Sequence, residues 1–173
     1  MKKILLFAVI LTFTAGMANA QFAAGTKSLG GTVSYYKNMT EDAEDSMISF
    51  APMGGYFFMD NLMIYVTVDY TKYTFDSDTD MTETGFGAGV KYFINYLYLG
   101  AGYDYAKMSD SSDTEYDALT GLLFEGGYLY PITDYFFLDL GVDYYFGMTE
   151  LGVDPNTYKQ KGLVAGFGFA TFF

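Results

Sequence analysis

Residues 136–146 read Phe-Phe-Leu-Asp-Leu-Gly-Val-Asp-Tyr-Tyr-Phe. Every even position of this stretch carries a large apolar or aromatic side chain, whereas the odd positions include Asp139, Gly141 and Asp143. A period of two is typical of a β-strand, because successive side chains of a strand point to opposite faces of the sheet. The stretch therefore predicts a strand with one large apolar face and one face that carries small residues and isolated charges.

The same alternation recurs along the chain from Thr26 onward, and no window keeps the spacing of three and four that marks an amphipathic helix. The C-terminal stretch is an example, since Leu163, Ala165, Phe167 and Phe169 alternate with smaller residues. The alternation predicts eight strands, which cover residues 26–36, 46–57, 61–74, 82–93, 95–107, 116–130, 134–147 and 159–173.

The connections between the predicted strands alternate in length. Short turns are expected near Asp60-Asn61, near Ile94-Asn95 and from Pro131 to Asp134. Longer polar connections are expected at residues 38–45, 75–81, 108–115 and 148–158. Short turns at one end and longer loops at the other are typical of an outer-membrane barrel. The sequence therefore predicts an all-β fold, an eight-stranded antiparallel up-and-down transmembrane β-barrel.

The volume of such a barrel indicates which face points inward. Eight strands enclose an interior only just wide enough to be filled by side chains, so the large apolar set is expected outside, against lipid. The Gly, Ser, Thr and Ala set is then expected to line the lumen together with mid-strand charges. Those charges are Asp69, Lys91, Asp104, Glu125, Asp139 and Asp143.

The tyrosines of the outward face support this assignment, and one alternative fold is to be compared with it. Tyrosines near the predicted strand ends fit the aromatic girdles of a membrane barrel. They are Tyr35, Tyr56, Tyr70, Tyr92, Tyr128 and Tyr130. The alternative is a secreted soluble barrel with inverted faces and an apolar ligand inside. If the faces are not inverted, a soluble barrel would expose the large apolar set to water, and this would favour aggregation.

The first twenty residues have the layout of a secretory signal peptide. Lys2 and Lys3 precede an apolar stretch from Ile4 to Phe13, and Ala18-Asn19-Ala20 supplies the small residues of a cleavage site. We expect residues 1–20 to be cleaved and residues 21–173 to form a single barrel domain. Cleavage would leave seven lysines against 21 acids, a net charge of −14.

The composition excludes several classes of function. The chain contains no His and no Cys, which removes zinc sites, Cys and His nucleophiles and the Ser-His-Asp triad. It contains no Arg either and is strongly acidic, so a basic surface for nucleic acid is not expected. Asp76, Asp78 and Asp80 resemble the start of a calcium loop, but Met81 and Gly87 stand where that loop needs Gly and Glu. We expect no enzyme, no cofactor and no specific metal site.

Several motifs resemble a known family. The C-terminal strand from Gly162 to Phe173, together with the signal peptide and the eight segments, is similar to the small outer-membrane barrels of the OmpA and OmpX type. The stretch from Ser49 to Phe57, followed by Asp60-Asn61, resembles the porin-like "outer membrane protein beta-barrel domain" family. The resemblance implies a Gram-negative outer membrane and no shared catalytic residues. It also implies that Phe167, Phe169 and Phe173 form an assembly signal for the barrel-assembly machinery.

The lumen charges and the loops leave two functions open. Lys91 is the only cation expected inside, against five acids, and Glu125 or Asp104 is its expected partner. The charges form either a salt-bridged plug or a Lys91 gate in a narrow, weakly cation-selective pore. With a plug, the protein would have a structural or surface-interaction role through short acidic loops. The expected partners are outer-membrane lipid and lipopolysaccharide, and the barrel is expected to be a monomer. The loop acids either stay solvated or bind divalent cations loosely; they are Asp42, Glu44, Asp45, Asp110, Asp113, Glu115 and Asp117.

Overall fold

A computed structural model describes residues 22–37, 46–75, 80–111, 118–153 and 156–173 of the chain. These residues form eight strands and a short segment, residues 22–26, that precedes the first strand. The strands are β1 (Lys27–Lys37), β2 (Ser46–Met59), β3 (Leu62–Thr74), β4 (Asp80–Ile94), β5 (Leu97–Asp110), β6 (Leu119–Pro131), β7 (Phe136–Val153) and β8 (Asn156–Phe172). Within the described ranges, no helix is long and apolar enough to cross a membrane.

The strands form a closed barrel in which each strand pairs antiparallel with the next one along the chain. β8 returns to β1 and closes the barrel through five register pairs, from Ser28 opposite Phe172 to Thr32 opposite Gly168. The predicted fold class, an all-β, eight-stranded, antiparallel up-and-down barrel, is confirmed. We call the end that carries the three short turns the turn end, and the opposite end the loop end.

The short turns at the turn end follow from the residues that occupy them. Asn61 has a φ of 63° and Asn95 a φ of 56°, in the left-handed region that Asn tolerates better than most residues. In the third turn, the hydroxyl of Thr133 accepts hydrogen bonds from the backbone N–H groups of Tyr135 and Phe136 at 3.3 and 3.1 Å. All three turns lie where the sequence predicts them.

One predicted connection is wrong. The sequence predicts a long loop over residues 148–158, but β7 runs on to Val153 and β8 begins at Asn156. The pairing of the two strands resumes from Glu150 opposite Lys159 after a register shift that begins at Phe146. Polar residues here belong to a paired hairpin extension, because backbone pairing beyond the barrel wall does not require an apolar face.

The outward face is apolar, as the alternation predicts. Alternate residues of the strands are exposed, among them Leu99 at 68%, Val66 at 60% and Leu163 at 71%. Most of the residues between them point inward, where Lys91, Glu125 and Thr71 are buried; in β8 the alternation of exposure is interrupted, since Val164 is exposed as well as Leu163. This orientation is opposite to the one that a soluble barrel with an apolar ligand inside would need.

The prediction that only small residues and charges line the lumen is wrong at the turn end. Five phenylalanines are buried together inside the barrel there: Phe22, Phe57, Phe93, Phe137 and Phe172. We call this set the aromatic base. The volume argument assigned all large apolar residues to the outer face, but four of the five sit at inward positions of their strands and Phe22 precedes β1. The turn end of the barrel interior therefore accommodates several large rings packed against one another.

Candidate functional site: the closed lumen

The aromatic base closes the barrel at the turn end, and Phe22 lies in it. The Phe22 ring is 1% exposed. Its centroid lies 4.8 Å from that of Phe93 in a stacked arrangement, and 5.3 Å from that of Phe172 edge to face. These are the separations at which aromatic pairs attract. Phe22 therefore packs like a core residue although it lies outside every strand.

Backbone hydrogen bonds hold the segment that carries Phe22 against β2 and the turn that follows it. The Asn61 N–H donates to the Phe22 carbonyl at 2.7 Å, and the Gly25 N–H donates to the Phe57 carbonyl at 2.7 Å. Gly25 adopts a φ of +95°, which a residue with a Cβ would adopt only with strain. The segment is thus folded back under the barrel rather than extended away from it.

A second layer of side chains lies in the middle of the lumen, where Lys91 of β4 pairs with Glu125 of β6. The Lys91 Nζ lies 2.6 Å from the Glu125 Oε2, and the side chains are 7% and 6% exposed. Strand β5 separates the two, and the residue in register with both is Gly100. A Cβ at Gly100 would lie 3.1 Å from the Lys91 Cγ and 3.4 Å from the Glu125 Cβ. The glycine therefore leaves the space through which the two charges meet.

Two tyrosines complete this layer. The Lys91 Nζ lies 4.9 Å from the ring centroid of Tyr65 and 4.7 Å from that of Tyr98, distances at which a cation is attracted to a ring face. The Tyr65 hydroxyl donates a hydrogen bond to the Glu125 carboxylate. The Tyr98 hydroxyl donates to Asp139 at 2.8 Å. We call these five residues, Tyr65, Lys91, Tyr98, Glu125 and Asp139, the charged layer.

Glycines on neighbouring strands make room for the two tyrosine rings. A Cβ at Gly89 or Gly102 would lie 2.6 or 2.5 Å from the Tyr65 hydroxyl. A Cβ at Gly127 would lie 2.5 Å from the ring of Tyr98. Gly89 of β4 and Gly102 of β5 are thus inward positions that leave space for the Tyr65 ring, and Gly127 of β6 does the same for Tyr98.

The remaining lumen charges are all acids. Asp143 of β7 lies in register opposite Glu125. Asp104 and Asp69 lie nearer the loop end, and the hydroxyl of Thr67 donates to Asp69 at 3.4 Å. Glu83, an inward position of β4 that the sequence analysis did not include, interacts with the hydroxyl of Tyr73. The structure thus brings Lys91, Glu125 and Asp139 into one network, while Asp69 and Asp104 are nearer the loop end.

The arrangement resolves the choice of partner for Lys91. The sequence offered Glu125 or Asp104, and Glu125 is the residue that binds it. Sequence reasoning missed Tyr65 and Tyr98, as well as Phe22. The two tyrosines occupy inward positions of strands whose alternation was recognised, so the parity of their positions could have identified them. Phe22 lies outside the strands and gave no such signal.

An ion pair also lies at the loop end, on the outward side. The Lys72 Nζ is 2.6 Å from the Asp80 carboxylate, and both side chains are partly exposed. Two of the residues considered for a calcium loop, Asp76 and Asp78, lie outside the described residues. The described part of the chain holds no group of three or more acidic, His or Cys side chains arranged for a metal ion.

The other predicted features divide between described and undescribed residues. Phe167, Phe169 and Phe173 are exposed on the outward face. The signal peptide, residues 1–20, lies outside the described residues. So do most of the loop acids: Asp42, Glu44, Asp45, Asp113, Glu115 and Asp117. Of the predicted girdle tyrosines, Tyr56, Tyr92 and Tyr130 are exposed at the turn end and Tyr35 and Tyr70 toward the loop end, while Tyr128 is half-buried.

Comparisons with known proteins support the fold. No protein-family model matches the sequence, and no curated protein matches it. Among solved structures, the outer membrane protein OprG from Pseudomonas aeruginosa superposes with a TM-score of 0.51 at 14% identity, over 88% of this chain and 98% of that one. Neisserial surface protein A gives 0.51 at 19% identity, over 84% and 94%. The Yersinia pestis outer membrane protein Ail gives 0.51 at 18% identity, over 86% and 99%. The chain therefore has the fold of the small eight-stranded outer-membrane β-barrels.

Proposed function

We propose that this chain is an integral, monomeric protein of the outer membrane of a Gram-negative bacterium, without enzymatic activity. Its role is structural or lies in surface contacts made by the acidic loops, with lipid and lipopolysaccharide as its membrane partners. The outward band of exposed Leu, Val and Phe supports insertion in lipid, since the same band would aggregate in water. Closure of the barrel supports it as well, because β8 pairs with β1 over residues 28–32 and so leaves no strand without neighbours on both sides.

The observation that carries the functional half of the proposal is the filled lumen. The aromatic base occupies the turn end, and the charged layer occupies the middle. A solute that passed through would have to displace Phe22 and also separate Lys91 from Glu125. Separating a buried ion pair leaves an uncompensated charge and costs about 3 to 5 kcal/mol. A barrel closed twice in this way is better suited to present loops than to conduct.

A narrow cation-selective pore is the second candidate. It is favoured by the acids on the loop side of the charged layer, Asp69, Glu83 and Asp104, which would attract cations into the lumen. In this reading, the Lys91–Glu125 pair is a gate that opens. The two candidates differ in conductance and agree on location in the membrane.

Location and orientation can be tested with single cysteines, because the chain has none of its own. Ser111→Cys places a thiol at an exposed position of the loop end, and Ile132→Cys places one at an exposed position of the turn end. Intact cells are treated with a maleimide that does not cross membranes. We expect Ser111→Cys to be labelled on intact cells and Ile132→Cys to be labelled only after the cells are broken.

The outcomes that contradict the proposal are specific. Recovery of the folded protein in the soluble periplasmic fraction would refute insertion in the membrane. Labelling of Ile132→Cys on intact cells, with Ser111→Cys protected, would show that the barrel has the reverse orientation. The unsubstituted protein is the control for background labelling, since it offers no thiol.

A further inference from the structure

A groove of about 690 Å³ crosses the outward face of strands β1 to β4 near the turn end. Its floor follows one row of the sheet, in which Leu29, Gly54, Val66 and Ala88 lie in register on neighbouring strands. Two members of this row, Gly54 and Ala88, are small. The groove exists because Gly54 and Ala88 add almost no side chain at outward positions, whereas most outward positions of the barrel carry large side chains.

The groove is apolar and open at Gly54. Tyr56 and Ile64, in the next outward row, form its wall on the turn-end side, and Phe173 also lines it. A Cβ added at Gly54 would meet no heavy atom within 4 Å. The site therefore has free space of the width of an alkyl chain, and a larger side chain at Gly54 would fill it without displacing the barrel wall.

One end of the groove carries a cation. Lys27 lines it, and the Lys27 side chain is exposed. Within the described ranges, no carboxylate forms an ion pair with Lys27. Its position is fixed by two backbone hydrogen bonds with Phe173, at 2.8 and 3.0 Å. A rigidly held backbone thus presents an ammonium group at the mouth of an apolar slot.

The level of Lys27 on the barrel matches that of a lipid headgroup. Lys27 lies in register with Tyr56, an exposed tyrosine three residues before β2 ends at Met59. Tyrosines at such positions sit at the membrane–water interface. The row that contains Gly54 lies two residues further along each strand, toward the middle of the wall, where acyl chains lie.

We propose that this groove binds an anionic glycerophospholipid, with one acyl chain over Gly54, between Leu29 and Val66, and the phosphate at Lys27. The charge of the headgroup complements the unpaired Lys27, and the apolar floor complements the chain. This inference rests on the membrane location proposed above. It is independent of whether the lumen conducts, since the groove is on the other side of the barrel wall.

The test is native mass spectrometry of the full protein, released from bilayer nanodiscs that contain phosphatidylglycerol and phosphatidylethanolamine in equal amounts. We expect the protein to retain one lipid, with phosphatidylglycerol enriched about fivefold, as one lysine near the headgroups contributes about 1 kcal/mol. Lys27→Gln should bring the two lipids to parity. Gly54→Leu should abolish retention, because the leucine occupies the slot. Ala165→Leu, which adds bulk to an exposed outward position of β8, is the matched control and should retain the lipid.

Three results would overturn the inference. In the first, Gly54→Leu retains as much lipid as the unsubstituted protein. In the second, the unsubstituted protein retains phosphatidylglycerol and phosphatidylethanolamine equally. In the third, the control variant Ala165→Leu loses the lipid. A folded barrel that inserts in the nanodisc and yet retains no lipid would also overturn it, while leaving the membrane location intact. Failure of the unsubstituted protein to enter the nanodisc would instead refute the proposed location, on which this inference rests.

Discussion

Lys91→Met is expected to destabilise the barrel more than any other single change in the charged layer. Methionine keeps much of the length of the lysine stem and removes the ammonium group, so Glu125 stays buried without its ion-pair partner. Removing one partner of a buried pair costs about 3 to 5 kcal/mol. The two rings that flank the Lys91 Nζ at 4.9 and 4.7 Å lose their cation as well, which adds about 0.5 kcal/mol or more for each ring.

Glu125→Gln and the double variant Lys91→Met/Glu125→Gln separate the causes of this loss. Glu125→Gln should cost less than Lys91→Met, because the amide oxygen still accepts from Tyr65 and still faces Lys91. The double variant removes both charges and keeps an oxygen that accepts from Tyr65, so it should lie within about 1 kcal/mol of the unsubstituted protein, because neither charge is left buried without its partner. The double variant would thus be markedly more stable than Lys91→Met alone.

The assay is reversible urea unfolding of the barrel in lipid vesicles, with folded and unfolded fractions separated by their mobility on unheated gels. The free energies of unfolding of the three variants and the unsubstituted protein form a double-mutant cycle. A loss below about 1 kcal/mol for Lys91→Met would refute the reasoning, because that is the worth of a solvated surface pair. Additive losses in the double variant would refute it too.

Three further predictions concern the two faces and the two ends of the barrel. Leu140→Lys should cost about 2 to 4 kcal/mol in the same unfolding assay if the site lies near the bilayer midplane, whereas Asp139→Asn, which keeps an acceptor for Tyr98, should cost far less; equal losses would contradict the assignment of faces. Phe173→Ser should reduce the yield of folded barrel in the outer membrane, measured on unheated gels of membrane fractions, and an undiminished yield would argue against an assembly signal. Phe22→Ala should lower the free energy of unfolding by about 3 to 5 kcal/mol because it empties a core position, and a loss under about 1 kcal/mol would show that the segment is not docked.

The fold could be predicted from the sequence because a barrel strand repeats its constraint at every second residue. In β7, Leu138, Leu140 and Val142 face outward and Asp139 and Asp143 face inward, as their alternation indicates. A shift of one residue would put every charge into lipid, so the pattern determines the faces without reference to neighbouring strands. The turns could be predicted for a similar reason, since Asn61 and Asn95 are suited to the backbone conformation that they adopt.

The composition of the lumen could be predicted only in part. Alternation says that Lys91, Tyr65 and Glu125 point inward, but which of them touch depends on the register between strands that are not adjacent. That register places Gly100 between Lys91 and Glu125, and nothing local to either charge marks the glycine as the gap between them. The volume argument failed at the turn end because it assigned every large apolar side chain to the outer face, whereas five phenylalanine rings pack together inside the barrel there.

Phe22 was beyond sequence reasoning for a different reason. Its position precedes the first strand, so no alternation applies, and a Phe after an expected cleavage site has no evident partner. Its docking depends on the aromatic base that β2, β4, β7 and β8 assemble from Phe57, Phe93, Phe137 and Phe172. Such a contact becomes visible only when strands distant in sequence are brought to the same end of the barrel.

The most direct test of the closed lumen is the single-channel conductance of the refolded mature protein in a planar bilayer, with Lys91→Ala measured beside it. We predict that the unsubstituted protein, shown to be folded and inserted, gives no discrete current steps, because the aromatic base and the charged layer both block the path. Discrete cation-selective steps from the unsubstituted protein, altered in Lys91→Ala, would contradict this and establish a pore gated by the Lys91–Glu125 pair.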